Sequence, residues 1–171
     1  MPSNTFKTCV GFLRSIFKRR KPFKTTSVSV GDIYNYVKID NLFATSGQPD
    51  ECQFRLIRDA GYETVINLAP RSVLENSLKD EGALLAELGM QYVHIPVDFM
   101  KPSDDDFAEF VRSLEANAER KVWVHCAANM RVSAFTYRYR RAVLGQNDGE
   151  VRADLDKIWE PFGVWKKFVA R

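Results

Sequence analysis

From Gly31 onward the apolar positions switch repeatedly between a two-residue and a near-helical period, which marks strands alternating with helices. "IYNYVKI" (33–39) alternates as a strand, and "LFATSG" (42–47) reads as a second one ending in turn residues. The next stretch predicts a helix, with Asp50 as N-cap after Pro49, Phe54 and Ile57 on one face, and Gly61 as its stop. "TVINLA" (64–69) is a continuous apolar run suited to a buried parallel strand. "LKDEGALLAELG" (78–89) predicts a helix ending at Gly89, and "QYVHIPV" (91–97) a further strand. In "PSDDDFAEFVRSLEANA" (102–118), Ser103 and Asp106 form a capping box, and Phe107, Phe110, Val111 and Leu114 make an apolar stripe. "KVWVH" (121–125) is a strand, followed by a helix from about Arg131 to Leu144 and more helix from Glu150 onward. There Trp159, Phe162, Trp165 and Phe168 recur at near-helical spacing and are expected to cover the core. Strands separated by helices with short connections predict an α/β fold, a central mostly parallel sheet flanked by helices.

Composition bounds this picture. A chain of 171 residues, 45% hydrophobic and 27% charged, fits one domain with a single core and an appendage. The net charge of +3 is unevenly spread: seven basic residues precede the first acid, Asp32, leaving about −4 for the rest. Residues 1–30 are therefore read as a basic, flexible N-terminal arm and residues 31–171 as the domain, whose mildly acidic balance argues against a nucleic-acid partner. Within the arm, Phe6, Val10, Leu13 and Phe17 recur at near-helical spacing beside the bases. A weak contact of residues 6–24 with an anionic membrane surface is the alternative to a solvated arm. No apolar run approaches the roughly 18 residues that cross a bilayer. The three cysteines, Cys9, Cys52 and Cys126, are odd in number and widely spaced, so they form neither a disulfide framework nor a metal-ligand pattern. A soluble, cytoplasmic protein without metal or cofactor is expected.

The chemistry concentrates in "KVWVHCAANMRVSAF" (121–135), where Cys126 falls between a strand and a helix. At such junctions unpaired helix N–H groups attract anions. A helix N-terminus and nearby cations can lower a thiol's pKa from about 8.5 to roughly 3.5–7.5, giving the nucleophilic thiolate. The amides of Ala127, Ala128, Asn129, Met130 and Arg131 can curl into a nest for phosphate oxygens, and the Arg131 guanidinium can grip two of them. Ser133 is placed to donate a hydrogen bond to the sulfur, and His125 to orient the loop or favour the thiolate. Asp98, just beyond the "HIPV" strand, is the candidate general acid. Asp104, Asp105 and Asp106 are runners-up, with first-turn helix charges as their plainer role.

"VHCAANMRVS" resembles the signature loop of cysteine-dependent protein tyrosine and dual-specificity phosphatases, in which His-Cys is followed by five residues, Arg, and Ser or Thr. "LFATSGQPDECQFRLIRDAGYETVINLAP" resembles the start of a bacterial branch, the phosphatase-like domain of beta-lactamase-hydrolase-like proteins. "HIPVDFMKPSDDDF" resembles the segment that carries the family's general acid. The resemblance covers about residues 33 to 145. It implies a protein tyrosine phosphatase-like fold and hydrolysis of a phosphate monoester, on a phosphorylated protein or a small phosphoester, through a phosphocysteine. Cys126 is then the nucleophile, Arg131 and the loop amides bind phosphate, and Asp98 is the acid.

One departure stands out. Arg131 is five positions after the cysteine, where the family has six, and Asn129 stands where glycine is common. Either the loop is one residue shorter and Arg131 still faces the anion, or the loop has normal length and Arg131 points elsewhere. Asn tolerates the left-handed backbone that glycine supplies. The alternatives are an inactive pseudophosphatase that binds oxyanions, and a rhodanese-like sulfurtransferase with the same cysteine-to-arginine spacing. Secondary candidates are Arg71 as an anion contact and Cys52 as a resolving thiol, while His94 reads as a core residue.

Overall fold

The computed structural model describes residues 3–19, 29–72 and 78–171, with the backbone alone for 15–19. In chain order the elements are α1 (Asn4–Arg19), β1 (Val37–Lys38), β2 (Phe43–Ser46), α2 (Glu51–Asp59), β3 (Thr64–Asn67), α3 (Glu81–Glu87), β4 (Gln91–His94), α4 (Asp104–Glu115), β5 (Val122–His125), α5 (Met130–Arg138), α6 (Asp148–Ile158) and α7 (Val164–Val169). A π turn over Tyr139–Val143 continues α5. The sheet order is β1-β2-β5-β3-β4, with β1 antiparallel and the other pairs parallel. The predicted α/β class and mostly parallel sheet hold.

Alternation along the strands divides the core into two layers. Ile66, Val122 and Val124 pack against α4 to α7, whereas Val65, Trp123 and Ala44 pack against α2 and α3. Phe135 of α5 anchors the first layer, with its ring 4.7 Å from Phe168 and 5.5 Å from Phe110. Burying each such ring contributes roughly 1.5–3 kcal/mol.

The helix ends follow their caps. The Asp50 carboxylate accepts from Gln53 N–H and Ser103 Oγ from Asp106 N–H, each inside a capping box. Gly61 and Gly89 follow α2 and α3 with positive φ.

Two expectations are corrected. The strand predicted over 33–39 shrinks to two residues, because Asn35 has a φ of 53° and Tyr36 N–H turns back to the Ile33 carbonyl. Of the C-terminal aromatics, Trp159, Trp165 and Phe168 are buried but Phe162 is exposed. The N-terminal segment read as a basic arm carries the helix α1. Its polar side chains hold it to the end of α6: Asn4 Nδ2 donates to the Asp156 carbonyl and Thr8 Oγ1 to that of Ile158. Residues 20–28 of that arm lie outside the described ones. No described helix is long and apolar enough to cross a membrane.

Candidate active site

The strand register builds the floor of the site. Ser46, His125, Asn67 and His94 end β2, β5, β3 and β4 and pair in one row at the carboxyl edge of the sheet. Beyond His125 the chain makes a four-residue loop, Cys126 to Asn129, and enters α5 at Met130. Arg131 stands in the first turn of α5. The loop's second wall is the Ser46–Gln48 turn. Cys126 N–H donates to the Ser46 carbonyl and Gln48 N–H to the Ala127 carbonyl, and Gly47 bridges to Ala128. A Cβ on Gly47 would lie 2.7 Å from the Tyr34 ring and 3.1 Å from the Ala127 carbonyl, so the close approach requires glycine.

Asn129 makes the turn into the helix. Its φ of 64° and ψ of 2° are left-handed, as expected for the residue in the glycine position. Its Nδ2 donates to the Asn35 carbonyl at 2.7 Å and to Thr45 Oγ1 at 3.0 Å, while Asn35 Nδ2 donates to the Ala128 carbonyl. Ser133 N–H then closes the first helical turn on the Asn129 carbonyl. Among the described residues, the amides of Ala127 and Ala128 meet no backbone acceptor. Cys126 is 1% exposed and Arg131 4%, and the Arg131 guanidinium lies 5.5 Å from the centre of the Phe99 ring.

Phe99 adjoins Asp98 and brings the candidate acid's segment to the same end of the sheet. Asp98 is exposed, and its Oδ1 accepts from Met100 N–H at 2.8 Å. Two of the three runner-up acids are otherwise engaged, while Asp105 is exposed. Asp106 serves the capping box, and the Asp104 carboxyl is held below its ordinary range by hydrogen bonds from Arg138 and Arg171.

Ser133 does not match its expected role. Its hydroxyl donates to the Met130 carbonyl and accepts from Trp159 Nε1, so its single proton is not directed at sulfur. His125 is also placed differently from a direct partner of the thiol. Successive strand side chains alternate, so its ring turns to the α2 and α3 layer and packs edge-on to Phe54 at 5.6 Å, while Cys126 joins the opposite layer. His94 is half-buried, and its Nε2 pairs with the Ala69 carbonyl. Arg71 and Cys52 are exposed, and all three cysteines are free.

The residue missed in the sequence is Glu81. It lies just after the Asp80 N-cap of α3, where a glutamate reads as an ordinary first-turn charge. In the fold it is 5% exposed and meets three side chains from two strand ends and a turn. Oε1 meets His125 Nε2 at 2.9 Å and Asn67 Nδ2 at 2.9 Å, and Oε2 accepts from Gln48 Nε2 at 2.7 Å. Burial alone would raise its pKa, but attraction to His125 and the hydrogen bonds from His125, Gln48 and Asn67 outweigh this and lower it to about 2. Glu81 thus ties the Cys126 loop, the Gly47 turn and the end of β3 together. A carboxylate whose folded pKa lies below its unfolded value stabilises above the latter, and the gain disappears as pH falls through the former. Glu81→Gln is therefore expected to destabilise the protein by on the order of 3 kcal/mol at neutral pH. The gap to wild type should close as pH drops from about 4.5 toward 2, which urea unfolding at a series of pH values measures.

Comparison with known proteins agrees with this geometry. A family model described as a DSP-PTPase phosphatase fused to NAD+ kinase matches residues 22–159. A beta-lactamase hydrolase-like protein of Xylella fastidiosa is 32% identical over 97 residues, 56% of this chain but 22% of that protein's length. The crystal structure of a DUF442 protein of Shewanella putrefaciens CN-32, assigned as a phosphatase, superposes with a TM-score of 0.73 at 31% identity, covering 82% of this chain and 92% of that one. TpbA of P. aeruginosa, crystallised with pTyr, superposes at 0.60 with 20% identity, over 80% of this chain and 79% of its own, and shows the shared fold. With the family model spanning most of the domain, the chain belongs to the DSP-PTPase phosphatases.

Proposed function

We propose that the protein hydrolyses phosphate monoesters through a phosphocysteine at Cys126. The observation that carries this reading is the loop itself: a cysteine at the end of the central strand, followed by amides that meet no backbone acceptor and an arginine in the first turn of a helix. Such amides and a guanidinium match the equatorial oxygens of a phosphoryl group in transfer.

In the first step the Cys126 thiolate attacks phosphorus, the bond to the leaving oxygen breaks, and Asp98 gives that oxygen its proton. In the second, Asp98 as carboxylate takes a proton from water, the water oxygen attacks phosphorus, and the sulfur–phosphorus bond breaks to release inorganic phosphate and the thiolate. Arg131 and the amides of residues 127 to 131 hold the non-bridging oxygens throughout. Glu81 and His125 act only through position, by fixing the strand end that carries the cysteine. The complex of the P. aeruginosa relative with pTyr favours an aryl phosphate on a protein as substrate class. The sulfurtransferase alternative draws no support from the family assignment.

Hydrolysis of aryl phosphates across pH by wild type and Asp98→Asn tests the scheme. Loss of the acid should slow turnover about 100-fold or more. The limb that falls as pH rises, where the acid gives up its proton, should vanish. The loss should be larger for a phenyl than for a nitrophenyl leaving group, because a good leaving group needs little protonation. Equal losses for both would remove Asp98 from the role.

A further inference from the structure

α1 is docked with its polar side inward. At 100° per residue, Phe6, Val10 and Leu13 fall within about 60° of one another, with Thr8 and Gly11 on the other side. The domain takes that other side. Thr8 is buried, the Tyr34 hydroxyl donates to its carbonyl at 2.7 Å, and a Cβ on Gly11 would meet that hydroxyl at 2.7 Å. At the start of the helix, Glu160 N–H donates to Thr5 Oγ1. The apolar ridge therefore faces away from the protein, with Phe6 59% and Leu13 54% exposed. Phe162, also 54% exposed, follows two residues after Glu160, whose amide holds the start of α1.

An apolar ridge held outward by hydrogen bonds on its back cannot be explained by packing within the domain. Its surroundings identify the occupant. Lys7 and Arg14 are exposed and lie about 80–100° around the helix from Phe6. The sequence before Asp32 holds seven bases and no acid. We propose that this face of α1 docks on an anionic lipid surface. Phe6, Leu13 and Phe162 enter the boundary between headgroups and acyl chains, and the bases meet lipid phosphates. A protein partner offers no comparable reason for a segment without a single carboxylate. The docked helix also lies one residue from the candidate loop, since Asn35, beside Tyr34, donates to the Ala128 carbonyl and contacts Thr8 Oγ1.

The test is cosedimentation of the full chain with vesicles of phosphatidylcholine alone and of phosphatidylcholine with phosphatidylglycerol, at low and high salt. Binding is expected to the anionic vesicles only, falling at high salt as exposed charges are screened. The Phe6→Ser/Leu13→Ser double variant and, separately, Lys7→Glu/Arg14→Glu should each lower the partition coefficient at least about tenfold. Both should keep wild-type melting temperature and aryl-phosphate hydrolysis. Failure of wild type to sediment with anionic vesicles overturns the proposal, as does wild-type binding by both variants. So does a dimer in gel filtration that the Phe6→Ser/Leu13→Ser variant dissolves, which would assign the ridge to a second copy of the chain. The readout is lipid binding, so it stands or falls separately from the catalytic assignment.

Discussion

Cys126→Ser should abolish aryl-phosphate hydrolysis, with a loss of roughly four orders of magnitude or more, as when a covalent nucleophile is removed elsewhere. A serine hydroxyl in the same place is almost entirely protonated at neutral pH and attacks phosphorus poorly. The substitution exchanges one atom of similar size and keeps the Cys126 amide bond to the Ser46 carbonyl, so the loop should be retained. The variant should therefore still bind tungstate and melt at a higher temperature in its presence. Turnover at the wild-type rate would exclude the phosphocysteine. Tungstate protection of wild type without turnover would instead identify a pseudophosphatase.

Arg131→Ala tests the loop's arginine. An arginine five rather than six positions after the cysteine still enters the first turn of α5, because the left-handed Asn129 begins the helix directly after the loop. Removing a guanidinium that holds two phosphoryl oxygens should lower kcat/KM by about 100- to 1,000-fold, in the range seen for a single donor to a developing oxyanion. Part of the loss should appear in kcat, since charge on those oxygens is distributed differently in the transition state. Arg131→Lys should rescue little, because an ammonium cannot reproduce the planar fork. Steady-state kinetics on one aryl phosphate separates these outcomes. A full-rate Arg131→Ala enzyme would show that the loop amides suffice and that the guanidinium only stacks on Phe99.

Much of this was legible in the sequence where local physics decides structure. Asp50, Ser103 and the two stop glycines bound their helices as their side chains dictate. "VWVH" forms the buried central strand that its unbroken apolar run predicts, and Asn129 takes the backbone that its short amide tolerates. The rest depends on residues distant in sequence. Glu81 resembles any first-turn glutamate until β3, β5 and the Gly47 turn converge on it. The Ser133 hydroxyl accepts from Trp159 Nε1, 26 positions later. The apolar spacing of α1 marks a helix but not which side the domain will take, since hydrogen bonds to its polar side settle that.

The position of β5 has a consequence for durability. It is the middle strand of five, with β2 on one side and β3 on the other, so both of its edges are covered. Fraying begins at sheet margins, here the two-residue β1 and the outer β4, and has to proceed inward past an intact neighbour before it frees the anchor of the cysteine loop. Thermal fluctuation thus erodes the periphery first and leaves the reactive geometry among the last parts to come apart.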